Sequence, residues 1–168
     1  MLFRSAWARA LETLRIWEYT GKARRGYFVA GLSGIQFCRE EDYAAVVSGL
    51  GAHDAEPVWL HANDPAQAWG GLLPHQEDRS FLCVPGTTVC LWDGRPVAVL
   101  EQGGRKLRLL EAECAETALS SLSMAFRRGC IYSGKDRLIL REGCAGLDAA
   151  LESAGFVREA LDWVLWRN

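Results

Sequence analysis

The stretch Ile16–Phe37, IWEYTGKARRGYFVAGLSGIQF, limits more than any other what this chain can fold into. An apolar stripe of Phe3, Trp7, Ala10, Leu11, Leu14 and Trp17 runs into it at three- and four-residue steps and predicts a helix over residues 2–20. Gly21 then stands where a left-handed helix cap is wanted. Lys22, Arg24 and Arg25 follow at once. The β-formers Tyr27-Phe28-Val29-Ala30, a Gly31-Leu32-Ser33-Gly34 turn and the return run Ile35-Gln36-Phe37-Cys38 predict a hairpin.

Helix, basic strand and hairpin in this order make the back half of a winged helix, a fold that commonly docks nucleic acid. Lys22, Arg24 and Arg25 are the candidate phosphate contacts, and Tyr27 is a candidate stacking surface for a base. The bland alternatives are a solvated sheet edge for the cations and a core position for Tyr27. A complete winged helix needs two more helices ahead of this one, and the sequence before residue 2 has no room for them. Met1 is therefore expected to be a start inside a longer protein.

Charge is distributed unevenly. Before residue 40 there are seven cations against two acids, and the remainder carries twelve cations against nineteen acids. A basic N-terminal module on an acidic body argues for a localised polyanion contact. It argues against a protein that coats nucleic acid along its whole surface. No apolar run approaches the ~18 residues of a membrane span, and the N-terminus lacks a signal-peptide core, so a cytoplasmic location and no membrane partner are expected. The six cysteines include no CxxC pair, which points to buried, reduced thiols rather than a zinc site or a disulfide framework.

After the hairpin, a short helix is expected over Glu40–Leu50, a linker over Ala52–Glu56 and a buried strand at Val58–His61. Thr87–Trp92 and Pro96–Glu101, joined by the Asp93-Gly94 hairpin signal, and then Arg105–Leu110 predict a β-meander. The last third reads as a helix over Glu113–Arg128, a strand at Leu138–Leu140, a helix over Leu147–Ala154 stopped by Gly155, and a closing strand alternating over Leu161–Trp166. The fold class is α+β: a partial winged helix (residues 1–39), then a mixed α/β domain with an antiparallel β-meander (residues 40–168). Of the seven tryptophans, Trp92 and Trp166 are the candidates for exposed faces.

No catalytic or metal residues emerge. His53, His61 and His75 lack ligand spacing, and Ser120-Ser121-Leu122-Ser123 has no nucleophile-elbow pattern. Asp64 is the one carboxylate near an imidazole and an indole, in Asn63-Asp64-Pro65…Trp69…His75, but a turn-capping role before Pro65 is the stronger reading. A GxxxxGK[ST] phosphate loop is missing, so ATP hydrolysis is not expected from this chain.

Three segments, WEYTGKARRGYFVAGLSGIQF (Trp17–Phe37), ANDPAQAWGGLLPH (Ala62–His75) and RSFLCVPGTTVCLWDGRPVAVLEQGGRKLRLL (Arg79–Leu110), resemble the C-terminal, DEAD/H-associated region of the large helicase-related (Lhr) family. The resemblance covers the first two thirds of the chain. It implies an accessory nucleic-acid-binding segment that helps form the single-strand channel of an ATP-dependent DNA helicase with a link to DNA repair. Its partners would be single-stranded DNA or a DNA/RNA hybrid and the RecA-like motor domains of the same protein, where ATP and Mg²⁺ would act. It adds Arg105, in the Gly103–Arg105 segment, to the candidate contacts. The rivals are a free-standing winged-helix module for DNA or protein and a DNA glycosylase-like enzyme.

Overall fold

The computed structural model describes residues 2–29, 32–48, 55–76 and 78–167, with side chains from residue 6 onward. The chain divides into two compact units, Met1–His53 and Asp54–Asn168. The helical turn after the hairpin, grouped with the second domain on sequence, falls in the first of these units.

The first unit opens with helix α1 (Leu2–Tyr19). Gly21 ends it at φ +70°, and the backbone closes as a Schellman motif. The Lys22 N–H donates to the Trp17 carbonyl at 2.8 Å and the Gly21 N–H to that of Glu18 at 3.1 Å. This reversal delivers the chain directly into strand β1 (Ala23–Gly26), which pairs antiparallel with β2 (Gln36–Arg39) from Ala23↔Arg39 to Gly26↔Gln36. Leu11 and Leu14 are half-buried, whereas Trp7 and Trp17, expected in a core or interface, are exposed. The Phe3 and Arg4 side chains, Ala30 and Gly31 of the expected turn, and residues 49–54, including His53 and Leu50, lie outside the described residues.

The expected strand over Tyr27–Ala30 is a correction. The ladder stops at Gly26, and a side chain continues it. Gln36 Oε1 accepts from the backbone N–H groups of Phe28 (2.7 Å) and Val29 (2.8 Å), while its Nε2 donates to the carbonyls of Val29 (3.3 Å) and Leu32 (3.1 Å). Phe28 folds back over Gly26, where an added Cβ would come within 2.7 Å of the ring. The ring then meets Tyr43, on helix α2 (Tyr43–Val47), edge-on at 6.4 Å. A glutamine amide offers the donor and acceptor that a backbone partner would supply, so these residues need no strand to satisfy their N–H groups.

The second unit holds the meander. β3 (Val58–His61), β4 (Thr88–Trp92), β5 (Arg95–Glu101) and β6 (Lys106–Leu109) form an antiparallel sheet in sequence order. Asp93 and Gly94 turn β4 into β5 with both φ angles positive (48° and 74°), as a type I′ hairpin requires. α3 (Ala115–Arg127) buries Ala115, Leu119, Leu122 and Phe126. A second antiparallel sheet follows, β7 (Arg137–Leu140) and β8 (Val157–Glu159) flanking β9 (Asp162–Trp166), with α4 (Asp148–Ser153) between β7 and β8.

One apolar core joins these layers: Trp59, Leu100, Leu107, Leu122, Phe126, Leu138, Leu151, Trp163 and Leu165 all belong to it. A smaller cluster of Ala62, Phe81, Val89 and Val99 covers the other side of β4 and β5, which explains why Val89–Leu91 and Val97–Leu100 are apolar on both faces. The closing strand does not alternate as expected. Leu161 is exposed, and Trp163, Val164 and Leu165 are all buried, because β9 is the central strand of its sheet and is covered on both sides. β8, three polar or exposed residues long, had no sequence signal of its own.

Candidate nucleic-acid interface

The hairpin brings Lys22, Arg24, Arg25 and Tyr27 into one short segment, but the folded chain treats the three cations differently. Successive strand residues point to opposite faces, so Arg24 and Arg25 diverge. Arg24 forms a bidentate pair with Glu40, Nε to Oε2 and Nη2 to Oε1, both at 2.7 Å. Its guanidinium also lies 4.1 Å from the centroid of the Tyr43 ring. The pair raises the Arg24 pKa and holds the Glu40 carboxyl below its ordinary value, the direct hydrogen bond being the main cause for both. Arg25 turns to the other face and meets Glu18 of α1 at 3.3 Å.

Lys22 makes no ion pair among the described residues. It lines a shallow cleft of about 490 Å³ with Trp17, Arg39, Glu40 and Glu41. Arg39 is itself paired, to Glu41 at 2.7 Å and to Asp42 at 2.8 Å. Tyr27 is 83% exposed and belongs to no strand, so its ring is available to solvent and does not share a strand face with Arg25. Trp17, read on sequence as part of the apolar stripe, is the aromatic beside Lys22, and nothing in its helical spacing could have marked it as a surface residue.

Arg105 lies in the other compact unit, at the turn into β6, with its side chain exposed. Its carbonyl accepts the N–H groups of Arg141 (2.7 Å) and Glu142 (3.2 Å), which ties that turn to the second sheet.

The Asn63–His75 segment is a structural loop. Asp64 Oδ1 accepts the Ala66 N–H at 2.8 Å, the capping contact expected before Pro65. Buried Gln67 donates to the carbonyls of Ala62 (3.0 Å) and Trp69 (2.7 Å), and the Trp69 indole donates to the Gly94 carbonyl at 2.9 Å. His75 packs against Phe81 at 4.5 Å. All six cysteines are free thiols, but only Cys90 and Cys114 are buried; Cys83 and Cys130 are exposed, which corrects the expectation of uniform burial. Among the described residues no helix is long and apolar enough to cross a membrane.

Comparison with known proteins matches residues 3–57 to the winged-helix domain of the large helicase-related protein. An Escherichia coli protein named Lhr helicase/uracil glycosylase is 35% identical over 133 residues, covering 71% of this chain and 8% of that protein. A Mycolicibacterium smegmatis protein named Lhr helicase/probable uracil glycosylase is 34% identical over 137 residues, covering 71% and 9%. The chain thus spans less than a tenth of the length of either relative. Its helix, glycine cap and paired hairpin fall inside the matched winged-helix stretch. The chain therefore belongs to the large helicase-related family, as a stretch of its C-terminal region that includes a match to the family's winged-helix domain.

Proposed function

We propose that this chain is an accessory nucleic-acid-binding segment of an Lhr-type ATP-dependent DNA helicase, helping to form the channel for the single strand. The observation that carries this reading is the basic hairpin within the stretch matched to the winged-helix domain, bearing Lys22, which has no ion pair among the described residues, and exposed Tyr27. Single-stranded DNA, or a DNA/RNA hybrid, is the ligand. The RecA-like motor domains of the same protein are the second partner, and ATP with Mg²⁺ belongs to them. A cytoplasmic place and a part in DNA repair follow from that role.

Within the hairpin, Lys22 and Tyr27 are the readiest contacts. Arg25, whose pair with Glu18 is solvent-exposed, can exchange that carboxylate for a phosphate at little cost. Arg24 is held by Glu40 and Tyr43 and contributes mainly to the shape of the hairpin. Arg105 is the proposed contact of the other unit.

The test is anisotropy of a labelled oligo-dT against salt. For single strands each phosphate contact adds about −0.7 to the log–log slope, so Lys22→Ala with Arg25→Ala should flatten it by roughly 1.4. Tyr27→Leu should weaken binding by ~1–3 kcal/mol and leave the slope alone. A double variant that keeps the parental slope would remove the hairpin from the interface.

A second reading, a part in removing uracil from DNA, is favoured by the joined activities in the names of both relatives. Asp64, the one carboxylate singled out for such a role, is engaged as a turn cap. Alkali-labile cleavage of a uracil-containing oligonucleotide after incubation with the chain would support it, and an intact oligonucleotide would refute it.

A further inference from the structure

We propose that the second unit carries its own binding site for a single-stranded nucleic acid: a cleft in which Arg105, Lys135 and Arg137 take the phosphates and Trp166 takes a base. This inference rests on the nucleic-acid-binding reading above and assigns it a site outside the hairpin.

The cleft has a volume of about 400 Å³ and is lined by Gly103, Arg105, Lys135, Asp136, Arg137, Ile139 and Trp166. Three cations thus share one concavity with a single carboxylate, in a unit whose overall charge is acidic. None of the three forms an ion pair among the described residues. The arginines of the basic hairpin are each matched by a glutamate, whereas these positive charges are left for an outside anion. Excess positive charge in a concave site is what a phosphate backbone recognises.

The site is built on fixed positions. Arg137 and Trp166 are directly opposed across β7 and β9, and the guanidinium lies 5.3 Å from the indole centroid. Trp166 remains 41% exposed, which leaves ring surface for a base to stack on. Lys135 donates to the Gly103 carbonyl and sits 4.9 Å from the Tyr132 ring. Its loop is clamped by Arg167, which donates to the carbonyls of Lys135 (3.0 Å) and Tyr132 (2.8 Å) and stacks on Phe126 at 4.4 Å. The Tyr132 hydroxyl ties the same loop to Thr88 and to the Gly86 carbonyl, both at 3.2 Å. Arg105 is anchored through its carbonyl, as described above. Charges on anchored backbone lose less freedom on binding than charges on loose loops.

The experiment uses the full chain and labelled oligo-dT, with oligo-U as a second single strand and a duplex of equal length. Arg105→Gln with Lys135→Gln removes two charges and leaves at each position a shorter, uncharged side chain that can still donate a hydrogen bond. We expect a log–log salt slope flatter by about 1.4, and hence about a sevenfold smaller loss of affinity between ~50 and ~200 mM salt. Trp166→Leu should weaken single-strand binding by about 5- to 160-fold with the slope unchanged, and should leave duplex binding unaltered. Circular dichroism and urea midpoints identify any variant that has lost its fold, and Arg105→Gln alone, an exposed change, should still flatten the slope by about 0.7. The relative affinities for oligo-dT and oligo-U say which sugar the site prefers. If the parent binds and the Lys22/Arg25 variant weakens it while the cleft variants bind like the parent, the cleft assignment is overturned and the hairpin reading stands. If the parent shows no salt-dependent binding, both are overturned.

Discussion

Glu40 holds the hairpin's Arg24 in a bidentate pair at 2.7 Å, and that pair offers a gain-of-function test. Glu40→Gln keeps an acceptor for the guanidinium and the stack on Tyr43, but removes the charge that neutralises Arg24. A released cation beside Lys22 can engage one more phosphate. One added single-strand contact steepens the log–log salt slope by about 0.7, which is about fivefold tighter binding at ~0.1 M salt and about twofold at ~0.3 M. Glu12→Gln is the control, since it makes the same change in net charge at an exposed position of α1. Oligo-dT anisotropy reads both. The pH dependence supplies a second check. Arg24 holds the Glu40 carboxyl below its ordinary 4.5, so the pair is intact at neutral pH and is lost only as pH falls through that lowered value. Parent and Glu40→Gln should therefore differ at neutral pH and converge only as pH falls through that lowered value. Equal slopes for Glu40→Gln and Glu12→Gln at neutral pH would refute the argument that this pair masks a phosphate contact.

Three further outcomes follow from the second unit and the cysteines. In the native protein Cys83 and Cys130 should react first with a chromogenic thiol reagent and Cys90 last, since burial pushes the Cys90 thiol up to about 12; equal rates for all six would contradict the burial pattern. Gly143→Ala should lower stability by on the order of 3 kcal/mol or more, against about 1–2 kcal/mol for Gly94→Ala, as measured by urea unfolding. Both glycines have φ near +80° or +74°, but a Cβ at 143 would lie 1.7 Å from the Leu107 carbonyl oxygen while one at 94 meets nothing within 4 Å; matching midpoints would refute the difference. Arg79 donates to half-buried Glu111 and holds its carboxyl below the ordinary 4.5, so the pair stabilises above that pH and is lost as pH falls through the lowered value. Arg79→Met should cost about 1 kcal/mol at pH 7, and the difference from the parent should shrink in urea titrations below pH 4.5.

What could be read from the amino-acid order alone was whatever local chemistry decides. Gly21 ends α1 because only a residue without a Cβ enters the left-handed region cheaply, and the Schellman bonds follow from that. The β4–β5 turn follows from Asp93-Gly94, and the inward face of α3 follows from the spacing of Ala115, Leu119, Leu122 and Phe126. These signals lie within a few residues of the structure they specify.

The fate of the charges does not. Lys22, Arg24 and Arg25 are equivalent on sequence, and only folding sets Glu40, sixteen residues on, against Arg24, and Glu18 against Arg25, leaving Lys22 with no ion pair among the described residues. Gln36 ends the strand at Gly26 by offering its amide to Phe28 and Val29, a substitution no β-propensity records. Arg105, the Lys135–Arg137 stretch and Trp166 come from three separate segments and share one cleft only because β7 pairs with β9 and the Arg105 turn is bonded to residues 141 and 142. A sequence lists how many charges a chain has, but the Coulomb energy of each depends on distances of a few ångströms to groups far away along the chain, and those distances exist only after the backbone has folded.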